Sequence, residues 1–167
     1  SLGLVGSEMC IRDSGKVGIP DHILLKPGRL TSEEFDVMKT HTTLGLDALE
    51  KAEERLGMDV PFLRLAKQIA YGHHEKWDGS GYPLGLVGDA IPLSARLMAG
   101  ADVYDALISR RIYKNAMPHE AAVEYIHGQR GQHFDPDVVD AFLALQDKFR
   151  SIAGRFADTE SSPRAVD

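Results

Sequence analysis

Residues 73–83 read HHEKWDGSGYP: two adjacent histidines, two acids, an indole and a Gly-x-Gly-Tyr-Pro turn inside one short stretch. Core packing does not select that mixture, because it sets ligand-type side chains beside residues that break helices. Imidazoles and carboxylates are instead donors that hold divalent metals. Thiolates cannot substitute for them here. Cys10 is the lone cysteine, so neither an intramolecular disulfide framework nor a multi-cysteine zinc or iron–sulfur site can form. Any metal must sit on histidine and carboxylate.

Further donors lie elsewhere. His41, His73, His74 and Asp102 fall in three separate helical segments, and ligands projecting from facing helices are how bundle cores build metal sites, dinuclear ones included. Taken alone, His41 reads first as a packed or surface histidine. The pair His73-His74 is harder to set aside, because adjacent positions on a helix point about 100° apart and cannot share one environment.

The elements that must position these residues are helical. Thr31-Ser-Glu-Glu34 fits a capping box, and Phe35, Met38, Leu44, Leu46 and Leu49 follow at spacings that predict one long helix with a buried stripe, carrying His41 and ending at Gly57. Pro61 suits a first helical turn, and Phe62, Leu65, Ile69 and Ala70 lead into the histidine pair. Glycines and Pro83 between His74 and Pro92 predict an irregular loop, packed down by its aromatic and leucine side chains. PLSARLMAGADVYDALIS predicts a helix buried on most sides, with Asp102 and Asp105 one turn apart and in need of partners. A further helix is expected from Pro118 to about Arg130, stopping at Gly131. Asp135 is the expected N-cap of the last helix, which Pro136 opens, and the polar tail after Phe156 is expected to fray. No segment alternates with period two for long, so the fold class is all-α.

Length and composition agree with one domain: 167 residues, 43% of them apolar, can build a single core. No stretch is long and apolar enough for a membrane span, and no secretory signal is recognisable, so a soluble, cytoplasmic protein is expected. A net charge of -6 argues against coating DNA, yet a few cations focused in a pocket can still bind a small phosphodiester.

From Gly15 to about Phe149 the chain resembles the HD-GYP family of bacterial phosphodiesterases that hydrolyse cyclic di-GMP, a subgroup of the HD hydrolase superfamily. The matching stretches are GKVGIPDHILLKPGRLTSEEFDVMKTH, HHEKWDGSGYPLGLVGDAIPLSARLMAGADVYDAL, RRIYK and GQHFDPDVV. The resemblance implies an HD-type helical bundle with a packed loop at Gly81, Tyr82 and Pro83. It implies a two- or three-metal centre, iron in most members and manganese in some, on Asp13, His41, His73, His74 and Asp102. Asp105, Arg111 and Lys114 match positions that contact or orient the substrate, and Lys16 matches the lysine that reaches toward a phosphate. Lys16 and Asp102 are thus the expected catalytic groups. Ile112 replaces a proline common in the family.

The chemistry is consistent with that resemblance. A phosphodiester repels hydroxide, so its hydrolysis needs cations and a metal-bound water of lowered pKa, and two metals roughly 3.5–4 Å apart can aim a shared hydroxide in line at phosphorus. Lys16, Arg111 and Lys114 would hold the phosphate oxygens. Tyr82 either stacks on a guanine or pins the loop, and the pinning role is favoured for Trp77. Glu75 either orders a ligand imidazole or ends a helix in solvent. Gly79 and Gly81 are expected to supply positive-φ turns. His22, His119, His127 and His133 read as surface or core residues.

The match breaks at the defining His-Asp pair. The chain has IRDSGKVGIPD, so Arg12 stands where the histidine belongs, and a guanidinium offers no lone pair to a metal. Residues 1–14 share no register with the family and resemble a translated vector or adaptor, so they are expected to be a non-native leader that displaced upstream helices. On that view residues 15–157 are a truncated domain with exposed apolar surface, residues 158–167 a flexible tail, and a receiver or other sensor domain preceded them in the native protein. Two rivals stand beside the enzyme: a non-catalytic module that binds nucleotide or a protein partner, and a phosphohydrolase for another nucleotide.

Overall fold

The computed structural model describes residues 11–109 and 116–160, with side chains through residue 155. Arg111 and Lys114 lie outside the described residues, as do residues 1–10 of the expected leader and residues 161–167 of the expected tail. After a 3-10 turn at Ser14–Gly18 come α1 (Asp21–Leu24), α2 (Ser32–Lys39), α3 (His41–Leu56), α4 (Pro61–Gly72), α5 (Leu93–Ile108), α6 (His119–Gly128) and α7 (Pro136–Glu160). Among the described residues β pairing is limited to two isolated bridges, Asp78 with Val87 and Arg130 with Phe134. The all-α expectation holds. No helix of the described residues is long and apolar enough to cross a membrane.

The capping box forms as the sequence predicts: Thr31 Oγ1 accepts the Glu34 N–H at 3.2 Å, and Glu34 accepts the Thr31 N–H at 2.7 Å. The helix it opens does not reach Gly57. Thr40 and Thr42 donate their hydroxyls to the carbonyls of Val37 and Lys39, at 2.7 and 3.0 Å, and this back-bonding accompanies the break between α2 and α3. The expected stripe is re-aimed as well. Phe35 and Leu44 are exposed, and the buried face of α3 is His41, Thr42 and Gly45.

Small residues then let the helices approach closely. The 3-10 turn packs on α3, α3 on α4, α4 on α5, and α5 on both α6 and α7. A Cβ added at Gly15 would stand 1.8 Å from the His41 carbonyl oxygen, so a side chain there would push the turn off α3. Ala66 and Ala70 of α4 and Ala95 and Ala99 of α5 are all buried. Farther from the turn, α5, α6 and α7 enclose a core of larger groups: Tyr104, Leu107, Ile126, Phe134, Val139 and Phe142. Each large apolar side chain buried there contributes about 1.5–3 kcal/mol.

Three other expectations are adjusted. Leu93 and Leu97 are exposed, so α5 is buried along one face only, that of Ala95, Ala99, Tyr104 and Leu107. The stretch α6 ends at Gly128, short of Arg130. The last helix continues through Glu160, because no proline interrupts the run after Phe156. Its N-cap is as predicted, with Asp135 Oδ1 accepting the Asp137 N–H at 2.8 Å.

His133 is a packed residue: its ring stacks on Phe134 with centroids 4.2 Å apart. Burial, reinforced by the Lys76 charge, pushes its pKa down to about 4 from 6.5. The unfolded chain therefore binds a proton that the folded one refuses. Stability contributed by the neutral ring is complete above pH 6.5 and is lost as pH falls from about 6.5 to about 4. In metal-free protein, His133→Phe should flatten the decline in urea-unfolding free energy across that window. An unchanged slope would assign the decline to other groups.

Candidate metal centre

Two helical junctions aim three imidazoles at one point. His41 is the first residue of α3, and its Nδ1 lies 2.7 Å from the Met38 carbonyl oxygen. His73 caps α4, with its backbone N–H on the Ile69 carbonyl at 3.1 Å and its Nδ1 on the same oxygen at 2.9 Å. A carbonyl only accepts, so both Nδ1 atoms carry the proton and both Nε2 atoms keep a lone pair. Those two Nε2 atoms face each other at 3.5 Å. His74 closes the set, its ring centroid 4.0 Å from that of His73 and 5.1 Å from that of His41.

The pair at 73 and 74 corrects a sequence argument. The α4 helix ends at Gly72, so the 100° helical offset does not apply beyond it and both rings turn to the same side. Desolvation holds all three imidazoles neutral: it lowers the pKa of His41, takes His73 down to about 4 and, aided by the neighbouring histidines, takes His74 down to about 2. Neutral imidazole is the form that ligates. One nitrogen from each of the three lies within 4.8 Å of the others, a span that one ion can bridge.

The carboxylates are arranged differently. Arg12 is buried and its Nη1 is ion-paired with Asp102 Oδ1, while its Nε lies 3.7 Å from Asp13 Oδ2. Asp13 also takes Lys16 Nζ at 2.6 Å. Burial alone would raise the Asp13 pKa, but the Lys16 hydrogen bond and the charges of Lys16 and Arg12 outweigh it and hold the group below its ordinary value. Of the five expected ligands, the structure therefore groups the three histidines as one donor set and engages both aspartates with cations. Three neutral imidazoles fit a divalent metal. The aspartates, as arranged, do not add to it. Asp105 lies one turn beyond Asp102 on α5, and its recorded partner is the Ser109 hydroxyl at 3.5 Å.

The loop beside the histidines is fastened from beneath. Tyr82 stacks on His74 with centroids 4.7 Å apart, and its backbone N–H bonds the His74 carbonyl at 3.1 Å. Burial, with the Asp102 charge, raises the Tyr82 pKa well above its ordinary value, so the phenol stays protonated. Gly79 has positive φ, whereas Gly81 does not. At Gly81 a Cβ would lie 2.3 Å from the Lys76 nitrogen, so close approach, not handedness, requires that glycine. Glu75 corrects both readings offered for it. Buried at the loop base, it accepts the N–H groups of Leu84 at 2.7 Å and Leu86 at 3.0 Å, and bonds no imidazole. Trp77 pins the loop, with its backbone N–H on the His133 carbonyl at 3.1 Å and the Arg96 guanidinium over its ring. Arg96 also holds Asp135 at 2.7 Å, joining α5 to the cap of α7. His22 and His127 are exposed, and His119 bonds the Tyr104 hydroxyl at 2.8 Å.

A bundle of short helices whose junctions gather buried, neutral histidines defines an all-α protein with a metal-binding type of site. Comparison with known proteins gives it a family. Residues 9–138 match the HD domain family, and the chain belongs to that family. It is 62% identical over 152 residues to a probable cyclic di-GMP phosphodiesterase of Vibrio cholerae, covering 91% of this chain and 34% of the relative. It is 47% identical over 153 residues to the cyclic di-GMP phosphodiesterase response regulator RpfG of Xanthomonas campestris, covering 92% of this chain and 39% of that protein. The chain thus spans about a third of the length of these curated relatives. In fold it is similar to a crystal structure of a cyclic GMP-AMP-specific phosphodiesterase of Vibrio cholerae, with a TM-score of 0.57, 20% identity, and coverage of 88% of this chain and 38% of that one.

The role of Glu75 is directly testable. Replacing it by Ala leaves two loop N–H groups without their acceptor, at a cost of about 2–3 kcal/mol for a charged, buried acceptor. Hydrogen exchange at the Leu84 and Leu86 amides should accelerate at least tenfold in Glu75→Ala, while amides of the α6 core exchange as before. Equal protection in parent and variant would mean that the loop is held by other contacts.

Proposed function

We propose that this chain is the hydrolytic module of a metal-dependent phosphodiesterase that acts on cyclic di-GMP. The observation that carries the reading is the convergence of His41 and His73 Nε2 at 3.5 Å, both with Nδ1 committed to helix carbonyls and with His74 alongside. Buried lone pairs that face one another without a donor between them are suited to a cation. A divalent ion held there, iron or manganese by family resemblance, would supply a water of lowered pKa and neutralise phosphate charge.

The chain's own residues supply the rest of this proposal. The imidazoles hold the ion; Asp13 and Asp102, the remaining ligands that the family resemblance implies, would reach a further ion only on leaving the cations they now engage. Lys16, half-buried beside Asp13, would attract a phosphate oxygen, joined by Arg111 and Lys114. Tyr82, stacked on His74 and tied to it through the backbone, would wall the site and orient the imidazole, with its ring in a T-shaped contact with Phe35. Asp105 would orient substrate from the next turn of α5. The relatives' names support the cyclic dinucleotide as substrate class, and the name of RpfG supports a response-regulator output, in which a receiver domain would be the partner.

A second reading is favoured by one feature: Arg12 stands in the site against Asp102, which suits a degenerate module that binds nucleotide without turnover. Anaerobic protein loaded with Fe(II) or Mn(II) separates the two. Hydrolysis of cyclic di-GMP at least tenfold more efficient than that of cyclic GMP-AMP is expected, abolished by chelation and reduced about 100-fold or more by His74→Ala. Tight binding of cyclic di-GMP with no turnover by the metal-loaded protein would transfer the assignment to the binding module.

A further inference from the structure

We propose that the Arg12 guanidinium is a resident cation that fills the carboxylate half of the centre, limiting the chain to one divalent ion, and that Arg12→His opens a second site. The inference rests on the reading of the three histidines as a metal site. Arg12 is only 6% exposed, and a guanidinium remains protonated at any working pH. A buried charge of that kind requires a counter-charge. It has Asp102 in direct contact and Asp13 at 3.7 Å, and Asp13 in turn holds Lys16 at 2.6 Å. Two cations therefore stand against two carboxylates, and that half of the site is electrically closed. The imidazole half is neutral and retains its lone pairs. An ion on the histidines leaves the closed half intact. A second ion on Asp102 would strand Arg12 as a buried, unpaired charge, a far larger cost than rearranging a solvated side chain.

Position 12 is helical and packs where its side chain reaches Asp102 across the bundle. An imidazole there is shorter, carries no fixed charge, and would release Asp102 while adding a donor. Asp102→Asn gives an independent check in the parent chain. Under the proposal Asp102 serves Arg12, so removing its charge leaves the histidine-bound ion in place. If Asp102 ligates that ion, its loss should strip it.

The experiment is anaerobic reconstitution with Fe(II), removal of unbound iron, and iron per chain by mass spectrometry, with circular dichroism to verify that each protein is folded. Expected values are about one iron for the parent, about one for Asp102→Asn, about two for Arg12→His, and near none for His41→Ala. Two irons in the parent would overturn the proposal while leaving the proposed function intact, as would a fall in iron in folded Asp102→Asn or a single iron in folded Arg12→His. No iron in folded parent and folded Arg12→His would overturn both this proposal and the metal-dependent reading beneath it. Should Arg12→His fail to fold, the parent and Asp102→Asn values still decide the question.

Discussion

The arrangement turns on two ring protons. Because His41 and His73 each give Nδ1–H to a carbonyl near a helix terminus, at 2.7 and 2.9 Å, their tautomers and ring planes are fixed by backbone that the fold itself holds. Their Nε2 lone pairs are then forced toward each other in a place too dry to protonate them. In water such a pair would rotate apart or take up a proton. Here rotation would break a helix-terminal hydrogen bond and protonation would bury a charge, so the donors remain poised. The ligand geometry is a property of helix ends, and those ends are where they are because α3 begins immediately after the break at Thr40 and α4 stops at Gly72.

Bringing those ends together required close backbone contact, which explains the uneven core. Near the histidines the packed residues are glycine and alanine, and a Cβ at Gly15 would intrude on the His41 carbonyl itself. The main cluster of large apolar groups lies on the α5–α6–α7 side, with Phe134, Tyr104 and Phe142 among its members. The two regions are joined by the loop after His74. Glu75 grips it from below, Trp77 ties it to the segment before α7, and Arg96 links α5 to Asp135 at the start of that helix. Stability generated in one half is thereby transmitted to ligand positions in the other.

The donor types, the Thr31 cap, the Pro61 start, the Asp135 cap and the glycine-rich loop were all legible because each is a local signal, carried by residues within a few positions of one another. The break at Thr40 was not, since periodicity alone runs straight through it, although the tandem threonines at 42 and 43 beside Thr40 were a usable cue for back-bonding. Glu75 was misjudged because its two partners lie nine and eleven residues ahead in an irregular loop. Gly81 was read as a conformational glycine when its constraint is the Lys76 backbone in front of it. Arg12 was recognisable as a residue unable to ligate. That it reaches Asp102, ninety positions away in sequence, depends on how the bundle closes, which no short-range pattern encodes.

That long-range pair also shows why a substitution in a metal site need not collapse it. Two carboxylates brought to one site without a cation would repel each other. Arginine at position 12 avoids this. Its fixed positive charge replaces part of the charge a metal would bring, in direct contact with Asp102 and within 3.7 Å of the Asp13 carboxylate. The cost falls on binding, because a cation that cannot leave competes with one that could. Fold integrity and metal capacity are therefore decoupled at this position: the same ion pair that lets the bundle close without metal is the one an incoming second ion would have to break.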